Sequence, residues 1–447
     1  MNNADLINNT LKLARQAIEQ GDFGLPLSVF GDPGLFELEQ RRLFRHTWNF
    51  LAHQTEIPQA GDYVLRHIGS DPFLVVRGKD GAVRVLYAVC PHRGMQICRS
   101  EMGNTKRFVC PYHGWMFGTD GALVGVPELE SAYSSDFSRE DSGLAPIPQM
   151  AERNGFIFGN LDPHAPSLED YMGDYAWYFD FWTRKTPKGI EVRGAPQRYV
   201  VTANWKLGSE NFFGDAYHTP VSHRSVVDTG LLAVGGNVSW RGQGIHYNAN
   251  AIGGGGLVGL PDEGEVFGYP KDLQEVMRGS LSPSHRQALF DFGMIPASGT
   301  FFPNLSFASA TVTIDDEGPV RFFTFRQWRP IAPNKMEIIS WCATEQEAPE
   351  AWKARSERAY IASFGSSGMF EQDDTENWSY VTSAACGTSA ESFRLNYRMG
   401  LGTDNQPIVA SLPDWPGPGE AFPIPYAEHN QRQFWRTWLK YLTEVSQ

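Results

Sequence analysis

The stretch Cys90-Pro91-His92-Arg93-Gly94, answered by Cys110-Pro111-Tyr112-His113-Gly114-Trp115, decides how this chain is read. A Cys-x-His pair and a Cys-x-x-His pair stand 17 residues apart, each with Cys before His and Pro directly after Cys. Each closes a short run rich in Val, Phe and Tyr (AVRVLYAVC and RFVCPY) and turns through a Gly. Runs of that kind, punctuated by Gly, Asp or Asn, are strands joined by tight turns. YVLRHI, PFLVVRG and WMFG continue the pattern, with turns at Lys79-Asp80-Gly81 and Thr119-Asp120-Gly121; NGFIFGNL, over 154–161, adds one more strand. The expectation is a small all-β unit over residues 40–160, with both Cys/His loops at one tip.

Two thiolates and two imidazoles around one centre fit two kinds of metal site. Structural zinc takes such donors in a tetrahedron. A Rieske-type 2Fe–2S cluster takes two Cys on one iron and two His on the other. Zinc fingers pair Cys with Cys and His with His, whereas each loop here gives one of each, which suits two irons with different ligand sets. Four unrelated residues in turns are the remaining reading, and the repetition of the half-motif disfavours it. Five cysteines, an odd count in 447 residues, do not make a disulfide framework. Cys98, Cys342 and Cys386 read as buried small apolar residues.

Outward from this unit the pattern changes. Residues 1–39 read as a helical segment that packs with the C-terminal domain: apolar residues recur at helical spacing from Asp5 to Gln20, and Asp32 caps a second helix after Gly31. Residues 161–447 read as an α+β domain on an antiparallel sheet. Helices are expected near 167–185, 205–222, 270–290, 347–380 and 429–445, and strands near 190–204, 236–250, 297–314 and 319–343. Gly253-Gly254-Gly255-Gly256 reads as a mobile loop, and the Pro- and Gly-rich text at 413–425 as an extended connection. The fold class is thus α+β, a small all-β domain inserted in a larger domain.

A net charge of −13 argues against a nucleic-acid surface, which needs clustered Lys and Arg. No apolar run approaches the roughly 20 residues of a membrane helix. The start lacks the basic-then-apolar layout of a secretory leader, so a cytoplasmic location is expected.

A second constellation lies in Asn204-Trp205-Lys206 and Glu210-Asn211-Phe212-Phe213-Gly214-Asp215-Ala216-Tyr217-His218-Thr219-Pro220-Val221-Ser222-His223. His218 and His223 are five apart, one more than places two side chains on one helical face; they converge if the helix ends between them, which Pro220 favours. Two His leave a divalent metal under-ligated. Phe370-Glu371-Gln372-Asp373-Asp374-Thr375-Glu376 offers carboxylates on a helical stretch, and two His with one carboxylate and open positions form the facial triad of non-haem iron oxygenases. On residue chemistry alone, Asp373 and Asp374 are both open as the third ligand.

C-P-H-R-G with C-P-Y-H-G-W resembles the Rieske domain of aromatic-ring-hydroxylating oxygenases. NWK, ENFFGDAYH with its later His, and FEQDDTENW resemble the catalytic domain of the same α subunits, those of naphthalene and biphenyl dioxygenases. Respiratory Rieske proteins carry an extra Cys in each loop, where this chain has Met95 and Tyr112.

The resemblance implies that Cys90, His92, Cys110 and His113 hold the 2Fe–2S cluster. It implies that His218, His223 and Asp374, rather than Asp373, hold a mononuclear Fe(II). Asp215 would bridge His218 to a Rieske histidine, His113, and electrons would cross between neighbouring subunits. Asn211, Phe212 and Phe370 would lie beside the iron, with Phe212 and Phe370 lining the substrate pocket. The implied activity is cis-dihydroxylation of an aromatic hydrocarbon with dioxygen. An aromatic carboxylic acid of the benzoate or salicylate type is the alternative substrate. No GxGxxG fingerprint is present, since Gly400-Leu401-Gly402 is followed by Asn405, so NADH would act through a reductase and a ferredoxin. A small β subunit in an α3β3 assembly is the expected partner.

Overall fold

The computed structural model describes residues 9–232, 244–259, 266, 268–423 and 426–444. The chain forms two compact units: Phe44–Ser167, and the residues up to Leu43 together with those from Leu168 onward. The fold is α+β, with a β-rich unit inserted in a larger one, as the alternation of patterns in the sequence implies.

In the inserted unit, Asp62–Ile68, Asp71–Arg77, Val83–Tyr87 and Met102–Asn104 form a four-stranded antiparallel sheet. Arg107–Val109, Met116–Gly118 and Leu123–Gly125 form a three-stranded one. Phe156–Asn160 lies between Asn49–His53 and Gln149–Arg153 in a third sheet. Leu74, Val76, Leu86, Phe108, Trp115 and Phe117 fill the core. Asp62–Ile68 and Asp71–Arg77 each carry three or four consecutive buried residues, so both faces of that sheet are covered.

The larger unit is organised on a nine-stranded antiparallel sheet. Its longest strands, Val320–Ala332 and Lys335–Glu345, pair with each other; Leu305–Val312, Met294–Phe301, Gly253–Gly259, Gly244–Ala249 and Glu420–Phe422 follow in order. Helices Glu350–Phe364, Met369–Ala385 and His429–Thr443 complete it. Asp32 caps helix Pro33–Leu38 by accepting from the Leu35 N–H, as expected. The first helix runs Asn9–Gln20; the expected start at Asp5 and the part of the 236–250 strand before Gly244 lie outside the described residues.

Three expectations are corrected. The four glycines are no loop: Gly253–Gly259 is an interior strand between Gly244–Ala249 and Met294–Phe301. Its glycines admit aromatic rings. A Cβ at Gly253 would stand 2.1 Å from the Tyr175 ring, and one at Gly254 2.6 Å from Phe213. Second, Cys386 is exposed at the end of helix Met369–Ala385, while Cys98 and Cys342 are buried. Third, the expected helix 205–222 is two pieces, Trp205–Phe212 and the single turn Thr219–Ser222, separated by Gly214 at φ +115°.

Overpacking a well-filled site costs about 1–3 kcal/mol. Gly253→Ala is therefore expected to lower the free energy of urea unfolding by at least that much. Gly256→Ala, where the nearest atom to a new Cβ lies at 3.5 Å, should leave the unfolding free energy within about 0.5 kcal/mol of its original value. Equal losses in the two variants would show that the rings do not require the glycines.

Candidate active site

The two Cys/His loops are copies of one turn. Gly94 N–H donates to Cys90 O at 2.9 Å, and Gly114 N–H to Cys110 O at 3.0 Å. Cys90 N–H donates to Met95 O and Cys110 N–H to Trp115 O, both at 2.8 Å. Gly94 and Gly114 sit at φ +74° and +73°, left-handed backbone that a side chain would strain. The rings of His92 and His113 lie 4.5 Å apart, and His92 stacks on Trp115 at 4.9 Å.

Cys90 and Cys110 are buried. Burial raises the Cys90 thiol, the backbone N–H of His92 pulls the other way, and the neighbouring Cys110 adds to the rise. Nδ1 of His92 is buried without a hydrogen-bond partner, an atom that a metal would satisfy. Among the described residues, the one set of three donors lying within 4.8 Å of one another is His218, His223 and Asp374. The four loop donors therefore do not close on a single ion, as tetrahedral zinc requires; a cluster with two irons accommodates the spread.

In the larger unit, His218 and His223 flank the turn Thr219–Ser222. Pro220 does not end a helix as expected. It stands in the first turn of one, where its missing N–H costs nothing. That single turn brings the imidazoles together. His218 Nε2 lies 3.1 Å from His223 Nε2, and Asp374 Oδ1 lies 3.4 Å from the first and 3.2 Å from the second. Donors about 2.1 Å from one metal stand about 3.0 Å apart at right angles and about 3.4 Å apart in a tetrahedron. The three atoms fit one ion.

Carboxylates dominate the field. Burial disfavours a charged His218 ring, yet Asp215 and Asp374 outweigh it and push its pKa up to about 10. Burial acts to raise Asp374, and the charges and hydrogen bonds of His223 and His218 overcome it, holding this carboxyl well below the usual range. Asp215, whose burial also acts upward, is lowered by His218. Such a field selects for a cation.

Asp215 Oδ2 lies 3.3 Å from His218 Nδ1, and Oδ1 accepts from the Tyr217 and His218 N–H groups at 3.0 and 3.3 Å. Asn211 Nδ2 donates to Asp215 Oδ2 at 3.4 Å and lies 3.3 Å from His218 Nδ1. Phe370 meets His223 edge to face at 4.8 Å and stacks on Phe364 at 5.0 Å. Phe212 is buried against Trp328 and Phe364, with the Arg326 guanidinium over its ring at 5.0 Å. Arg326 is committed to Glu371 in a buried ion pair.

Two neighbours do more than the sequence assigns to them: Asp373 is open there only as an alternative metal ligand, and Glu210 has no role. Asp373 Oδ2 lies 3.2 Å from His223 Nδ1. Burial pushes Glu210 up to about 8; Tyr397 and Trp435 donate to it and oppose the rise, while Asp215 and Glu428 add to it. Glu210 stands beside Asn211 in the motif string itself; nothing local marks it as buried.

Residues 47–145 match the model of the Rieske [2Fe-2S] domain, and residues 168–444 that of the ring-hydroxylating α subunit catalytic domain. The chain is 35% identical to the N,N-dimethyl phenylurea N-demethylase α subunit of Sphingobium sp. (strain YBL2), over 95% of this chain and 93% of that one. It is 32% identical to the biphenyl dioxygenase α subunit of Metapseudomonas furukawaii, over 98% and 95%. Among solved structures, naphthalene 1,2-dioxygenase from Rhodococcus sp. bound to indole superposes with a TM-score of 0.92 at 41% identity, covering 99% of this chain and all of the other.

Proposed function

Since the chain belongs to the α subunits of Rieske ring-hydroxylating oxygenases, which carry a 2Fe–2S cluster and a mononuclear non-haem iron, we propose that it cis-dihydroxylates an apolar aromatic ring. The supporting observation is the convergence of His218, His223 and Asp374 beside the aromatic ring of Phe370. Cys90 and Cys110 would hold one iron of the cluster and His92 and His113 the other. His218, His223 and Asp374 would hold the mononuclear iron.

When bound, the cluster would supply single electrons, and the mononuclear iron(II) would supply the redox chemistry that activates dioxygen. The chain's own residues do the rest. Asp215 would accept a hydrogen bond from His218 Nδ1–H, which would fix the tautomer and leave Nε2 free to hold the metal. Asn211 holds Asp215 in that pose. Phe370 and Phe364, buried and stacked on each other beside His223, would keep the surroundings of the site apolar. Arg326 lends no charge to a substrate carboxylate, because Glu371 already takes it; this favours a hydrocarbon over an aromatic acid. Asp215 would also reach His113 of a neighbouring subunit, so that electrons cross between subunits. Ferredoxin and an NADH-dependent reductase would supply the electrons, and a small β subunit would complete an α3β3 assembly. Among the described residues no helix is long and apolar enough to cross a membrane.

N-dealkylation of an arylurea is a second reading, supported by the 35% identity to the phenylurea N-demethylase subunit. Product analysis under labelled dioxygen, with a surrogate ferredoxin and reductase, separates the two. Biphenyl, naphthalene, benzoate and an N,N-dimethyl arylurea are the panel. A cis-dihydrodiol carrying both labelled atoms is expected from a hydrocarbon. Formaldehyde release from the urea with untouched hydrocarbons would overturn the dihydroxylation reading.

A further inference from the structure

We propose that Asp373, the carboxylate next to Asp374 on helix Met369–Ala385, is a positioning residue that fixes the orientation and donor strength of His223. This rests on the reading of His218, His223 and Asp374 as the iron ligands.

His223 is buried, and each of its ring nitrogens faces a different carboxylate of one helix. Nε2 points to the shared centre, 3.2 Å from Asp374 Oδ1; Nδ1 points away from it, 3.2 Å from Asp373 Oδ2. Consecutive helical residues diverge by about 100° around the axis, which lets two neighbouring carboxylates straddle one imidazole. Asp373 Oδ2 also accepts from Ser225 Oγ at 3.1 Å. It thereby ties the ligand and the start of the following helix, Arg224–Asp228, to the same anchor.

A buried Nδ1–H needs an acceptor, and a backbone carbonyl would satisfy it. A carboxylate does more: its charge makes the opposite nitrogen a stronger donor. Asp215 stands in the same relation to His218. Both imidazoles are thus backed by a carboxylate, one from the ligand loop and one from the helix that supplies the third ligand. The geometry also separates the neighbouring aspartates: Asp374 reaches both Nε2 atoms, whereas Asp373 reaches the rear nitrogen of one ring.

The test uses the full-length protein and ferrous iron. Affinity for the mononuclear iron is read by competition with a ferrous chelator, and the urea unfolding curve of the protein reports whether the larger unit is intact. Asp373→Ala should weaken iron binding about 10–100-fold, and Asp373→Asn, which keeps an acceptor oxygen without the charge, should recover part of the loss. The EPR signal of the ferrous site with nitric oxide should change in Asp373→Ala and return toward the parent in Asp373→Asn, a response that a purely structural role would not give. If Asp373→Ala binds iron as tightly as the parent while His223→Ala and Asp374→Ala lose it, the positioning role is wrong. If His223→Ala and Asp374→Ala also keep their iron, the ligand reading falls, and this proposal with it.

Discussion

Asp374→Ala is expected to lose the mononuclear iron and all product formation while the visible spectrum of the cluster stays unchanged. Asp374 Oδ1 touches both imidazoles of the site, at 3.4 and 3.2 Å, and is the one carboxylate of the three-donor set. Its removal leaves two neutral donors. Losing a group that merely supports a ligand costs about 10–100-fold in metal affinity, so losing a ligand that also carries charge should exceed about 100-fold. The cluster's proposed ligands lie in the other compact unit, which has its own core and is expected to report on itself. Metal analysis with absorption spectroscopy and a product assay would check this. Turnover retained in Asp374→Ala would remove the triad assignment.

Lys206→Met is expected to destabilise the larger unit by about 3–5 kcal/mol, by leaving a buried carboxylate unpaired. Glu39 and Lys206 are both buried, with Nζ and Oε1 2.7 Å apart. Trp438 Nε1 donates to the same oxygen at 2.9 Å, and Trp205 Nε1 to Oε2 at 2.8 Å. One carboxylate thus joins the N-terminal segment, the helix that leads into Asn211, and the last helix. Burial lowers the Lys206 pKa while Glu39 acts to raise it, so each charge is tolerable only with the other. Lys206→Met strands the carboxylate; Glu39→Gln made together with it should recover much of the loss, because breaking a buried pair costs more than replacing it. Denaturant midpoints for the two single variants and the double variant would decide. A loss under about 1 kcal/mol in Lys206→Met would show that water reaches Glu39.

What the sequence discloses follows from how far each contact reaches. The Cys/His loops are legible because each is a five-residue turn closed by its own backbone bonds. His218 and His223 are nearly so, since one helical turn joins them. The proposed third ligand is 151 residues beyond His223, and residue chemistry cannot say which of two adjacent aspartates faces inward; direction around a helix decides it. Glu39 pairs across 167 residues with Lys206 and 399 with Trp438, and nothing local announces that. The glycine run is misread because its local freedom is real, while the rings that remove it arrive from residues 175 and 213. Pro220 is misread because a proline marks either end of a helical stretch.

The bare strand at 253–255 has a consequence for how this sequence can diverge. A methyl group at Gly253 and the ring of Tyr175 claim the same volume, as do one at Gly254 and the ring of Phe213. Neither Gly253 nor Tyr175 is free to drift alone: a descendant that acquires alanine at 253 must first, or at once, trim that ring, whereas at Gly254 the Tyr247 carbonyl oxygen, 2.9 Å from a new Cβ, would still stand in the way. Such positions should change in couples across a lineage, and an alanine that is harmful in the present chain should become harmless once Tyr175 has been cut back.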